Sequence, residues 1–255
     1  MYNPPVFIGL KNYIEVLKGP NIWYALRDVS FYGFIYVFSQ TFIGCILAVL
    51  LNQKIGFIKT YRIAYFIPVI SPWIGISLIW YWLYNPQYGA LNCILSFIGV
   101  GPFNYTSSNN WAEVVASIAV VTIWKGVGYV TVILLAGLQN ISVELMEAAE
   151  IDGAGALKRF TKITIPMLSP TIFMVLILGT MSAIQAFDSF FVMLNTSGTG
   201  VIPDRFSVFN TLIYDNAFKY NRFGMSAAIA WVAFAFVALL TFIQKKMESR
   251  WVHYE

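Results

Sequence analysis

Five stretches of this sequence carry no lysine, arginine, aspartate or glutamate: Val29 to Gln53, Ile63 to Ala112, Gly126 to Val143, Ile163 to Phe187 and Phe223 to Gln244. Runs this long and this apolar constrain the fold more than any other feature, because only a hydrocarbon environment suits so many of them in one chain. The hydrocarbon core is ~30 Å thick, and about 20 helical residues at ~1.5 Å each cross it. Helices are therefore predicted at about 29 to 51, 63 to 84, 114 to 137, 167 to 194 and 223 to 244. Strands fit poorly, since the runs lack strict alternation and a sheet crossing lipid must close on itself. With 58% hydrophobic and 11% charged residues, and a mean hydropathy of +0.69, the chain reads as an all-α polytopic transmembrane bundle of five spans.

Orientation follows from the basic residues beside the spans. If the C-terminus is cytoplasmic, the inner segments hold nine, namely Lys54, Lys59, Arg62, Lys158, Arg159, Lys162, Lys245, Lys246 and Arg250. The outer segments hold six: Lys11, Lys18, Arg27, Arg205, Lys219 and Arg222. The predicted organisation is an outer N-terminal segment over residues 1–28, a transmembrane domain over 29–244 with an inner loop at 138–166, and a cytoplasmic tail over 245–255. Met1-Tyr2-Asn3-Pro4-Pro5 has neither a basic start nor an apolar core, so an outer start is read as the sign of a first span missing from this sequence. Cys45, inside the first span, and Cys93, in an outer loop, are poorly placed to form a disulfide.

Several chemistries are excluded. The one histidine, His253, lies in the tail, where it serves neither a catalytic triad nor a metal site inside the bundle. No Gly-Lys pair occurs, so the phosphate-binding loop of common ATPases is missing. The chain is expected to be no enzyme and to hold no cofactor or metal, with any ATP and Mg on a partner.

Between the third and fourth spans lies a polar hinge, Gln139 to Pro166. Ser142 is placed to cap a helix by accepting from the amide of Glu144 or Leu145, and Gly153 to end it. Glu144, Glu147 and Glu150 form an acidic stripe; Lys158, Arg159 and Lys162 make the next short helix basic toward its end, which suits the helix dipole. A solvated connector would explain the charges alone. It would not explain Ala148, Ala149, Gly153, Ala154, Gly155 and Ala156, a small-residue surface that lets another backbone come close.

Glu147-Ala148-Ala149, then Asp152-Gly153-Ala154, then the basic helix and Ile163-Thr164-Ile165-Pro166, resembles the EAA loop of ABC importer permeases, in particular the sugar type related to the maltose permease. Other motifs agree in order: Phe66-Ile67-Pro68 with Pro72, Trp80, Tyr88-Gly89-Ala90-Leu91-Asn92, Trp124, Leu135-Ala136-Gly137-Leu138-Gln139, Gln185 with Phe187-Asp188, and Tyr214 with Ala217-Phe218 ahead of Gly224. The resemblance runs from Phe7 to about Gln244 and implies that a sixth span precedes Phe7. Ser142-Val143, Met146 and Ser197-Gly198-Thr199 depart from the family's usual residues. The resemblance implies a second homologous permease, two ATPase subunits and an external solute-binding protein as partners. It also implies that Glu147, Ala148, Ala149, Asp152 and Gly153 couple the permease to the ATPase.

Polar and aromatic residues within the spans face the bundle interior or a water-filled path. Pro68 and Pro72 are expected to bend or open the second span, next to Trp73. In the third span, Thr122, Trp124, Lys125, Gly126 and Tyr129 straddle the midpoint. In the fourth, Gln185 and Asp188 are three apart and so would share a helix face, with Lys125 the expected ion-pair partner of Asp188. A buried structural pair is the plain reading. The resemblance implies more: Trp73, Thr122, Gly126, Tyr129, Gln185 and Asp188, with Lys125, would line a sugar path, Trp73 or Tyr129 stacking on the ring. Two rivals stand beside this importer: an ion-gradient-driven carrier using Lys125 and Asp188 as a relay, and a membrane scaffold that transports nothing.

Overall fold

In lipid no water pairs with a backbone amide or carbonyl, so a crossing segment must satisfy its own hydrogen bonds, and this chain does so with helices. A computed structural model of the chain describes residues 6–53, 56–106, 108, 110–195 and 206–251. The start at Met1 to Pro5, Lys54, the Ser197-Gly198-Thr199 departure, Arg205 and His253 lie outside the described residues. The helices are α1 (Lys11–Lys18), α2 (Pro20–Leu51), α3 (Ile58–Ile70), α4 (Trp73–Leu83), α5 (Ala90–Ser96) and α6 (Trp111–Gln139). They continue as α7 (Val143–Ile151), α8 (Ala156–Arg159), α9 (Ile165–Ile184), α10 (Asp188–Asn195), α11 (Phe209–Tyr214) and α12 (Phe223–Trp251). A π-helical turn, Phe160–Thr164, joins α8 to α9.

Among the described residues four helical stretches are long and apolar enough to cross a membrane, and the bent pair α3–α4, taken as one span, makes a fifth, which agrees with the five expected spans. Their ends differ from the charge-based reading. The first span starts at Pro20 rather than near 29 because Arg27 and Asp28 neutralise each other inside α2. Asp28 is fully buried; its Oδ1 accepts from Arg27 Nε at 2.8 Å and its Oδ2 from the Ser207 amide at 3.1 Å. The Arg27 guanidinium also lies 4.0 Å from the centroid of the Trp111 ring, so the buried carboxylate has a cation that is itself held by an aromatic face.

The second span is two helices, bent by 97° at Ser71-Pro72. Pro68 stays inside α3, and the chain turns at Pro72 instead, where Ser71 is extended with ψ of 144°. The fourth span is also broken, at residues 185–187, between α9 and α10. Gln185 therefore stands in the break and Asp188 opens α10, so the two do not share a helix face as expected. The break leaves the Gln185 carbonyl without a helical amide, and Asn210 Nδ2 donates to it at 2.7 Å.

By contacts the chain forms two units. The first comprises Met1–Tyr32, Ser77–Ile118 and Ile184–Leu239. Its aromatic contacts include the edge-on pair Tyr32–Phe190 and the Phe187–Phe191–Tyr214–Phe218 series, and Asn92 pins the loop after α5 through both its amide nitrogen and oxygen to Phe103. The second unit comprises Gly33–Ile76, Ala119–Ala183 and Leu240–Glu255. Its core packs Ala48 and Leu51 of α2, Val130, Leu134, Leu135 and Leu138 of α6, and Leu168, Ile172 and Val175 of α9. Close approach inside it depends on glycine. A Cβ on Gly128 would stand 2.5 Å from the Tyr65 carbonyl oxygen, and one on Gly137 2.6 Å from Thr171 Oγ1.

Candidate functional site

The coupling candidates gather on α7 and the turn after it. Ser142 occupies the N-cap of α7 with extended backbone, yet its hydroxyl makes no capping hydrogen bond, contrary to the expectation from sequence. The other end is built as expected. Gly153 has φ of +77°, its amide donates to Glu150 at 3.0 Å, and the Ala154 amide donates to Ala149 at 2.9 Å. This is the paired hydrogen bonding of a left-handed glycine cap, which satisfies carbonyls that the helix end would leave open. Glu150 then pairs with Arg159 of α8 across the turn, so the acidic stripe and the basic helix meet through one ion pair.

None of α7's nine residues is buried. A helix this short is unstable alone in water, and packing on neighbours is what ordinarily holds such helices. Here the contrary holds: Ile151 is 87% exposed and Leu157 76%, with Val143 and Leu145 exposed beside them. Glu147, Ala148, Asp152 and Gly153 are exposed and Ala149 is half-buried. Charged, small and bulky apolar groups thus stand exposed together on this helix and the turn after it.

The second group lies within the second unit. Lys125 is only 4% exposed; its Nζ donates to the Val69 carbonyl at 3.1 Å and lies 4.2 Å from the Trp73 ring centroid. The ammonium is thus held, within this unit, by a carbonyl dipole and an aromatic face. Thr122 is buried and turns its hydroxyl back to the Ala119 carbonyl at 3.0 Å, as an intrahelical bond. A Cβ on Gly126 would stand 2.3 Å from Gln40 Nε2 and 3.2 Å from the Tyr36 hydroxyl, so this glycine admits α2 side chains. Lys125 and Gly126 therefore stand at contacts between helices, and Thr122 is buried within α6. Trp73, at 36%, and Tyr129, at 52%, keep exposed ring surface. In the first unit Gln185 is exposed and Asp188 half-buried.

Tyr36 and Gln40 escaped the sequence reading. Both lie in a charge-free run, where an uncharged polar residue leaves no mark on a search by charge; the signal was Gln40 itself, a buried amide far from either end of α2. Arg27 and Asp28 escaped because adjacent opposite charges look like a span boundary.

The sequence profile described as "Binding-protein-dependent transport system inner membrane component" matches residues 40–253. The trehalose/maltose transport system permease protein MalF of Thermococcus litoralis is 33% identical over 241 residues, covering 94% of this chain and 79% of that protein. The sulfoquinovosyl glycerol transport system permease protein SmoG of Agrobacterium fabrum is 33% identical over 238 residues, covering 93% of this chain and 75% of that protein. Among solved structures, a chain of a bacterial alginate ABC transporter in complex with an alginate pentasaccharide-bound periplasmic protein superposes with a TM-score of 0.83 at 20% identity, covering 95% of this chain and 83% of that one. At that identity the likeness shows the fold.

Proposed function

Because the chain belongs to the family of binding-protein-dependent transport system inner membrane components, we propose that it is the permease subunit of an ATP-driven importer for a carbohydrate. It performs no bond chemistry; the ATPase, with its ATP and Mg, is a separate subunit. The observation that carries the mechanism is α7, a helix without one buried residue that projects Ile151 beside Glu147, Ala149 and Gly153. In this reading two ATPase subunits close on ATP, one of them grips α7 and its glycine-capped turn, and the movement reorients the spans between outward and inward access. A second homologous permease completes the path, and an external solute-binding protein delivers the sugar. The chain sits with its loop at 138–166 and its tail at 245–255 in the cytoplasm, and its residues 1–28 on the outer side.

Within the path, Trp73 and Tyr129 supply exposed aromatic faces for a sugar ring, and Gln185 and Asp188 supply polar groups for its hydroxyls. Lys125 acts from behind, holding the turn on which Trp73 stands, while Gly126 admits the α2 side chains beside it and Thr122 is buried within α6.

The experiment is a reconstitution of the complex with its partners in lipid vesicles. Sugars are screened for binding-protein-dependent stimulation of ATP hydrolysis and for uptake. Uptake that requires ATP and ignores ionophores supports the reading. Uptake abolished by ionophores and indifferent to ATP assigns the chain to ion-driven carriers, and the absence of uptake with every sugar leaves the importer reading without support.

A further inference from the structure

The elbow between α3 and α4 exposes carbonyls that no following helical amide can pair, and an unpaired carbonyl in a low-dielectric interior is costly. Of the four carbonyls that end α3, from Ile67 to Ile70, two are met by the elbow itself. The Ser71 hydroxyl donates to Ile67 at 3.0 Å, and the Ser71 amide donates to Pro68 at 3.3 Å. A third, on Val69, is met from another helix, by Lys125 Nζ of α6 at 3.1 Å. The same ammonium lies over the ring of Trp73, the first residue of α4. One cation thus grips the last turn of one arm and the first residue of the other.

Beyond Lys125, α6 runs unbroken to Gln139, about 21 Å of continuous helix, and the chain then enters α7 after a few residues. The contact between α6 and α3 is close along this stretch, since Gly128, one turn on from Lys125, has no room for a Cβ against the Tyr65 carbonyl and Val69. We propose that Lys125 is a positioning residue that braces the α3–α4 elbow against α6, so that displacement of α7 reaches the elbow through a charged clasp. A nonionic partner set suits that task. A carboxylate would hold the ammonium by long-range attraction in many geometries, whereas a carbonyl and a ring face together fix both position and direction.

The test uses the complete complex in lipid discs, with Cys45 and Cys93 replaced by serine and spin labels on cysteines at Ile63 of α3 and Ile79 of α4, both exposed positions. The inter-label distance distribution is read without nucleotide and with ATP and vanadate. Lys125→Met is expected to broaden the distribution in both states and to lower sugar moved per ATP hydrolysed by about 5-fold or more, while Lys125→Arg keeps both near the parent values. Trp73→Leu, which spares the Val69 bond, is expected to broaden it less. A Lys125→Met distribution as narrow as the parent's overturns the proposal, and lost uptake at unchanged width assigns Lys125 to the solute instead. If Lys125→Met does not insert, Trp73→Leu decides, with broadening in support and an unchanged width against. The nucleotide-dependent arm rests on the importer reading. The nucleotide-free width does not, so failure of that reading is told apart from failure of the brace.

Discussion

Gly153→Pro concentrates the coupling argument in one atom pair and one dihedral angle. The native residue sits at φ of +77°, which proline cannot reach, and its amide donates to Glu150 at 3.0 Å, which proline cannot do. Misplaced backbone and lost hydrogen bond together cost ~3 kcal/mol, which depletes the native turn by about 100-fold. Because α7 has no buried residue, that cost falls on the turn and spares the bundle. In vesicles the variant is expected to insert normally, to keep its thermal midpoint, and to lose ATP-driven uptake. Gly153→Ala keeps the amide and carries only the left-handed penalty, about 1–2 kcal/mol, for a loss of roughly 5- to 30-fold. Gly155, two residues on, has φ of −62°, and a Cβ added there meets no atom within 4 Å, so Gly155→Ala is expected to be neutral. Normal uptake by Gly153→Pro, or equal losses at positions 153 and 155, would refute the reasoning.

Three further outcomes follow from packing and charge. Gly128→Ala forces a methyl group against the Tyr65 backbone and is expected to destabilise the bundle by about 1–3 kcal/mol, while Gly75→Ala, which meets nothing within 4 Å, leaves thermal stability unchanged or raises it; scanning fluorimetry of both variants checks the contrast. Arg27→Met strands the buried Asp28 carboxylate at a cost of about 3–5 kcal/mol, and adding Asp28→Asn is expected to recover most of it, as measured by thermal unfolding of single and double variants. Asn92→Ala removes the bonds to the Asn85 and Phe103 carbonyls and from the Phe103 amide, so limited proteolysis is expected to cut the segment between Asn85 and Tyr105 sooner than in the parent.

The five spans and the polar loop were legible because both are statements about composition over many residues, and lipid enforces composition strictly. Their breaks were legible only where covalent chemistry marks them. Pro72 announces the elbow, but residues 185–187 contain neither proline nor glycine, and the break there is supported from a distance by Asn210. Charge misled once: Arg27 and Asp28 looked like an end of the membrane and are a neutral pair inside a helix. The partners of Lys125 within its own unit, the Val69 carbonyl and the Trp73 ring, were out of reach of the sequence, since neither bears a charge for a search to find. In the coupling loop, Gly153 declared its left-handed cap through residue type alone, whereas Ser142 had the residue type of a cap without the hydrogen bond.

In the proposed importer drive enters through α7, and a thiol placed at its most exposed apolar residue reports on this directly. Ile151→Cys is introduced with Cys45 and Cys93 changed to serine, and the complex is treated with a short bifunctional thiol reagent against single cysteines placed on the ATPase. A permease–ATPase cross-link is expected, its yield changing between the nucleotide-free and ATP–vanadate states, together with loss of uptake once the link forms. A freely accessible thiol at position 151 that forms no link in either state, in a complex that still transports on ATP, would contradict it.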